Sequence, residues 1–324
     1  MSMKCKINGF LNDFKTYRVI LFIFLLNILA CSQEEKATSV AIIRFENEFY
    51  NSNERSLPEL MNKYPFFFPK KYSISIWNQF LKDSVKLEIF KETQKIFQNF
   101  DSIANEIELI FNNSKSLFPK FLSPKVFTLN SQSEYSNRII YADSLMFISL
   151  DSYLGKDYYP ELPSYISQKM SKEFLSTDLA ISIASSYIIK ESNRTLLSEM
   201  IYHGKILFIS RLLFPESKNY ILFHSSEDKI QWADTNEKKI WTFFTENEYL
   251  FNTSQDLSLR FISLAPYSKF NLDIDKDSPG SIGKWIGFNI VNSYMKNNKV
   301  SVEELITMNN YEIFKKSKYK PKKQ

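Results

Sequence analysis

The sequence predicts a mainly helical α+β domain of long helices with one small antiparallel sheet. Three observations carry that expectation. From Ser84 to about Asn113, residues Ile96, Phe97, Phe100, Ile103, Ala104, Ile107, Ile110 and Phe111 recur at three- and four-residue steps, which lays them on one helical face. In "KVFTL" and "RIIYADSLMFISL" the pattern changes to β-branched and aromatic residues that suit a pleated, half-buried surface. Beyond Pro163 helical spacing returns and holds almost to the end of the chain.

Taken in order, the chain opens on a leader. Lys4, Lys6, Lys15 and Arg18 precede an apolar run from Val19 to Ala30. Twelve helical residues reach only about 18 Å, well short of a hydrocarbon core of ~30 Å, so the run does not span a bilayer. A basic segment followed by a short apolar one is an export signal. Its end, Ile28-Leu29-Ala30-Cys31, resembles the lipobox of bacterial lipoproteins, with Leu29 where a smaller residue is more usual. Residues 1–30 are therefore expected to leave as a signal peptide, with Cys31 acylated and 31–39 serving as a tether. Residues 40–314 form a single globular domain, and 315–324 a basic tail.

Within the domain, "VAIIRFENEFY" reads as a brief amphipathic helix, and "YPFFFP" belongs to an ordered aromatic loop. One helix of about eight turns is expected from Ser84 to Asn113, then the sheet, then a long loop, "DSYLGKDYYPELP". Helices follow from about Pro163 to Lys190, from Thr195 to Leu213, and from Ser225 to about Asn247, the last with Ser225 and Asp228 as a capping box. "SPGSIGKWIGFNIVNSYM" opens another, and a final helix starts at Ser301 with Glu304 as its box partner. No repeat or linker divides the chain.

Composition narrows the function. Removing the leader takes away four basic groups and one acid, which lowers the formal charge from +5 to +2. Six lysines crowd the last ten residues, and the body between is mildly acidic. That balance does not suit nucleic acid, and the tail is expected to be solvated. Of the two cysteines, Cys5 goes with the leader and Cys31 is acylated, so no disulfide forms and packing must hold the domain.

Catalytic equipment is sparse. His203 and His224 are the only histidines, and no HExxH, GxSxG or P-loop pattern occurs. Gly280, Gly283 and Gly287 fit close backbone packing at a helix start. Asp273, Asp275 and Asp277 have the alternation of a calcium loop, but Ser278 and Lys284 stand where the turn glycine and the bidentate glutamate belong. Glu199 and His203 lie four residues apart on one helical face, a pairing more often structural than catalytic. No cofactor is expected.

"YPFFFP", "LDSYLG", "MIYHGK", "APYSKF", "SPGSIGKWIGFNIVNSYM" and "SKYKP" occur in an order and spacing that resemble the gliding-motility lipoprotein family GldB of the Bacteroidota. The resemblance covers almost the whole mature chain. It implies a lipid-anchored envelope component needed for gliding, with protein partners in the gliding and type IX secretion machinery. The same architecture resembles zincin-type peptidases. Ser185, Ser186 and Ile189 would take the places of His, Glu and His, and His203-Gly204 that of Glu-Gly, so the ligands that activate a zinc-bound water are missing. The expected protein is non-catalytic, its former cleft a docking groove. Glu199, Tyr202, His203, Gly204 and Trp285 are its candidate residues, with aromatics from "YPFFFP" and "KWIGF" as walls. The rival is an envelope hydrolase working through Asp178, Glu199 or His203.

Overall fold

The structure is a computed structural model that describes residues 40–132 and 135–322; the expected leader, Cys31 and the tether lie outside the described residues. It is α+β and mainly helical, as the periodicity predicts.

The chain enters as strand β1 (Ile42–Arg44) and turns directly into helix α1 (Phe45–Tyr50). The segment expected as one amphipathic helix therefore begins as a strand. Its β-branched start pairs in parallel with the next strand, Ile42 opposite Val126, and this pairing overrides a weak local helix preference. Helices α2 (Leu57–Lys63) and α3 (Ile74–Lys82) flank the aromatic loop. The long helix expected from Ser84 is two helices, α4 (Ser84–Ile96) and α5 (Asp101–Leu117). At the break, the Asn99 side chain accepts the Asp101 N–H at 2.8 Å, a local bond that competes with the helical ladder.

Strands β2 (Lys125–Leu129), β3 (Ile139–Ala142) and β4 (Leu145–Ser149) complete a sheet of order β1-β2-β4-β3. The expected antiparallel sheet is mixed: β1 with β2 and β2 with β4 run parallel, and β3 with β4 antiparallel. After β2 the chain returns along the edge as β3. A tight turn, with Asp143 at φ 47°, then sends β4 between β2 and β3.

Side chains alternate across this sheet with period two. Val126, Met146 and Ile148 enter the larger core; Phe127 and Phe147 face a smaller aromatic cluster with Phe45, Tyr64, Phe67 and Phe68. Phe67 stacks on Phe45 with ring centres 4.0 Å apart, and meets Phe127 edge-on at 5.4 Å.

The larger core is helical. Helices α6 (Ser164–Ser167) and α7 (Leu175–Tyr187) replace the single helix expected from Pro163 to Lys190. Between them Leu154 bridges Ser171, and the Gly155 N–H bonds the Met170 carbonyl at 2.7 Å, so this backbone pairs with the "LDSYLG" loop instead of continuing a helix. Helix α8 (Leu196–Leu213) starts where expected, with the Thr195 hydroxyl accepting the Ser198 N–H. Short α9 (Asn219–Leu222) precedes α10 (Glu227–Glu246), whose N-cap is Ser226; its side chain makes no cap bond, and the Ser225–Asp228 box is not formed. Helices α11 (Gln255–Phe261), α12 (Ile282–Asn297), α13 (Val302–Thr307) and α14 (Asn310–Ser317) follow, and the Ser301–Glu304 box is present as read. Among the described residues no helix is long and apolar enough to cross a membrane.

Helices α8 and α12 cross at glycine. A Cβ on Gly204 would overlap the Gly287 carbonyl, and one on Gly287 would overlap the Met200 carbonyl. The glycines of the "SPGSIGKWIG" segment do serve close packing. The basic end departs from expectation in part. Helix α14 runs through residue 314, and Tyr319 then packs 5.1 Å from the Trp241 ring and donates to Glu237 at 2.7 Å. Tyr319 and Lys322, which reaches Asp234 at 2.9 Å, anchor the end on α10, while its described lysine side chains stay exposed as expected.

Candidate functional site

Beside the α8–α12 crossing lies a cavity of about 290 Å³. Helix α7 contributes Ser185 to it and α8 contributes Tyr202 and His203. The segment after α9 brings Phe223 and His224; α12 brings Lys284 and Trp285; the α6–α7 connection brings Lys169. Aliphatic walls from Ile181, Ile206, Leu207 and Leu222 make it largely apolar, and no carboxylate lines it.

Its charge is therefore one-sided. Lys169 is only 7% exposed. Its ammonium makes no hydrogen bond or ion pair with the described residues, and the Tyr165 ring lies 5.9 Å away. Burial, with the nearby positive charges of Lys284, Arg138 and Lys229, brings Lys169 down to about 8. Burial also lowers Lys284, and no acid offsets it. His203 falls to about 3 through burial first and then through Lys284 and Lys190, so its ring is neutral at physiological pH.

Behind His224 stands a saturated ion pair. The Asp178 carboxylate accepts Arg138 Nε at 2.6 Å and Nη2 at 2.8 Å, the Tyr153 hydroxyl at 2.9 Å, and His224 Nε2 at 2.7 Å. Burial favours its neutral form, but Arg138 and His224 outweigh burial and hold it well below the usual carboxylate range. Each oxygen accepts two bonds, so this carboxylate has no lone pair left facing the cavity. It ties together the start of β3, the turn after β4, helix α7 and the end of α9. His224 itself stands at φ 48° and is lowered by burial, against the pull of Asp178.

Of the candidate residues, Tyr202, His203 and Trp285 meet at this cavity. Gly204 faces the α12 backbone, and Glu199 turns to Lys190, 2.8 Å away, so the expected Glu199–His203 pair is not formed. The "YPFFFP" rings lie in the cluster on the other face of the sheet and do not line the cavity with "KWIGF". Among the suggested zincin counterparts, the Ser185 hydroxyl bonds the Ile181 carbonyl and Ser186 the Ile183 carbonyl, while Ile189 falls beyond α7 and is 86% exposed. These positions supply no metal donors. In the aspartate-rich turn, Asp275 accepts the N–H groups of Phe270, Asn271 and Leu272 at 3.0 to 3.3 Å, so its charge closes the loop. Among the described residues no group of three His, Cys, Asp or Glu side chains is placed to hold a metal ion.

Sequence reasoning missed Lys169, Lys284, Arg138 and Tyr153. Lys284 left a trace: it is the one charge within "SIGKWIGF", between Gly283 and Trp285. Arg138 and Tyr153 reach Asp178 only through contacts 40 and 25 residues apart, and Lys169 lines the cavity without a bonded partner among the described residues, so no local pattern marks them.

Fold and site together define a mainly helical α+β domain that encloses a small apolar, cationic cavity. The model of a family described as gliding motility protein GldB matches residues 30–321, and the chain belongs to that family. No curated protein and no solved structure was found to match it.

Proposed function

We propose that the protein is a non-catalytic, lipid-anchored component of the gliding apparatus, held in the cell envelope through Cys31 and acting by binding. The make-up of the cavity carries this reading: cations and apolar walls, with its nearest buried carboxylate fully bonded and Glu199 paired to Lys190. Hydrolysis needs a positioned base or nucleophile; Asp178 is saturated, and His203, lowered to about 3 with no carboxylate to orient it, is a weak base. The leader and lipobox pattern ending at Cys31 support the anchor, and the family match, which begins at residue 30, supports a role in motility. The resemblance adds partners in the type IX secretion machinery.

The experiment is complementation of a clean deletion in a gliding host. Deletion is expected to abolish colony spreading and the wild-type gene to restore it. Cys31→Ala, expressed at equal level, should lose labelled-palmitate incorporation and fail to restore spreading. Normal spreading of the deletion strain would overturn the motility role, and full rescue by Cys31→Ala would overturn the anchor.

A further inference from the structure

The cavity holds a charge arrangement that folding alone does not explain. Lys169 is nine-tenths buried without a hydrogen-bond or ion-pair partner among the described residues, and Lys284 joins it at the same wall. Two unpaired ammonium groups facing one largely apolar cavity that no carboxylate lines oppose folding, and an apolar residue of similar length would be better tolerated there. Helix α12, sixteen residues long, adds the positive end of its dipole, because Ser281 at its N-cap and Lys284 in its first turn both line the cavity. The site is therefore built for negative charge that the protein does not itself provide.

We propose that this cavity binds a carboxylate on an apolar acyl chain, with the carboxylate between Lys169 and Lys284 and the chain against Ile206, Leu222, Phe223 and Trp285. The proposal rests on the reading of the protein as a binding component and names what its cavity takes. The walls select the chain. The Ser185 hydroxyl is committed to the Ile181 carbonyl and the Ser281 hydroxyl to the Ser263 carbonyl, so among the lining side chains Tyr202 and the two histidines are left to pair the amides of a peptide. Methylenes need no such partners. The volume, about 290 Å³, lies near the lower end of small-ligand pockets and fits a chain of medium length.

The test uses the intact acylated protein in lipid nanodiscs, titrated calorimetrically with octanoate against empty nanodiscs. Saturable binding is expected, about tenfold or more tighter than octan-1-ol, because the alcohol lacks the charge-assisted bonds. Lys169→Met and Lys284→Met should each weaken octanoate by about tenfold or more while leaving Tm unchanged or raised, since each removes an unpaired cation from a largely apolar cavity. A lysine kept only for folding would instead lower Tm on replacement and leave octanoate affinity alone. Absence of saturable binding, equal affinity for octan-1-ol, or unchanged affinity in both variants would overturn the proposal. So would tighter binding of inorganic phosphate, or of an acetylated tripeptide ending in a leucine carboxylate. None of these readouts depends on colony spreading, so the cavity can fail this test while the motility role stands.

Discussion

His203 shows how a single side chain in this cavity couples to stability. In the fold its ring titrates at about 3, against 6.5 for an unperturbed histidine, because burial and then Lys284 and Lys190 disfavour its charge. Between those values the unfolded chain binds a proton that the folded chain does not, so stability falls as pH drops through that window. Above it neither state is protonated and the residue adds no slope. His203→Gln should therefore flatten the decline of the unfolding free energy measured in urea between pH 6.5 and 4 by up to about 1 kcal/mol per pH unit. His224 is lowered as well and keeps part of the slope. An unchanged slope in the variant would mean that the His203 ring is protonated in the fold. At this scale the sequence was legible mainly by exclusion. Two histidines and no HExxH already ruled out a zincin ligand set, and Asp178 and His203 stood out as titratable groups. That Asp178 is saturated by Arg138 and His224, 40 and 46 positions away, follows only from packing.

Helices were legible as elements, and their breaks were not. The apolar stripe through Ile96 and Ile110 continues in register across the α4–α5 break, so periodicity alone reads one helix where a bond from Asn99 makes two. The sheet shows the same division: the β-branched and aromatic pattern located β2, β3 and β4 but not β1, and the order β1-β2-β4-β3 depends on pairings far apart in sequence. Glycines are where local preference and packing disagree. Gly287 lies inside α12, where alanine would gain about 1 kcal/mol of helix propensity. A Cβ there would overlap the Met200 carbonyl, and helix backbone cannot give way as a side-chain end can. The overlap outweighs the propensity, so Gly287→Ala should destabilise by about 1–3 kcal/mol. Gly283→Ala should cost less, because its Cβ would meet the movable Ile262 Cδ1 at 2.7 Å and the Phe261 carbonyl at 2.9 Å, whereas that of Gly287 would come closer still to the Met200 carbonyl. Melting temperatures of the two variants check the order. A Gly287→Ala protein as stable as wild type would mean that α8 and α12 can part without loss.

Across the whole molecule, the two ends of the domain are secured in different ways. The entry is held by backbone pairing, β1 along β2, with aromatic rings closing over the outer face of the sheet. The exit is held by side chains. Glu237 on α10 is 3% exposed and accepts the Tyr319 hydroxyl at 2.7 Å and the Lys322 N–H at 3.3 Å, with Asn289 of α12 at 3.4 Å. A lysine-rich end looks solvated when only its charge is counted, but one tyrosine within it supplies a ring for Trp241 and a donor for a buried acid. Removing residues 318–324 would take two donors from Glu237 and uncover Trp241, leaving a buried carboxylate short of partners. The truncated protein should lose about 2 kcal/mol or more in urea unfolding, and Tyr319→Phe, which keeps the ring and removes only the hydroxyl, about 1 kcal/mol. Because Glu237 also faces Asn289 of α12, the helix that carries Lys284 and Trp285, loosening the exit should reach the cavity wall. The truncated protein should accordingly show faster amide exchange in α12 as well as in α10. Exchange confined to α10 would mean that the exit clamps its own helix and nothing beyond it.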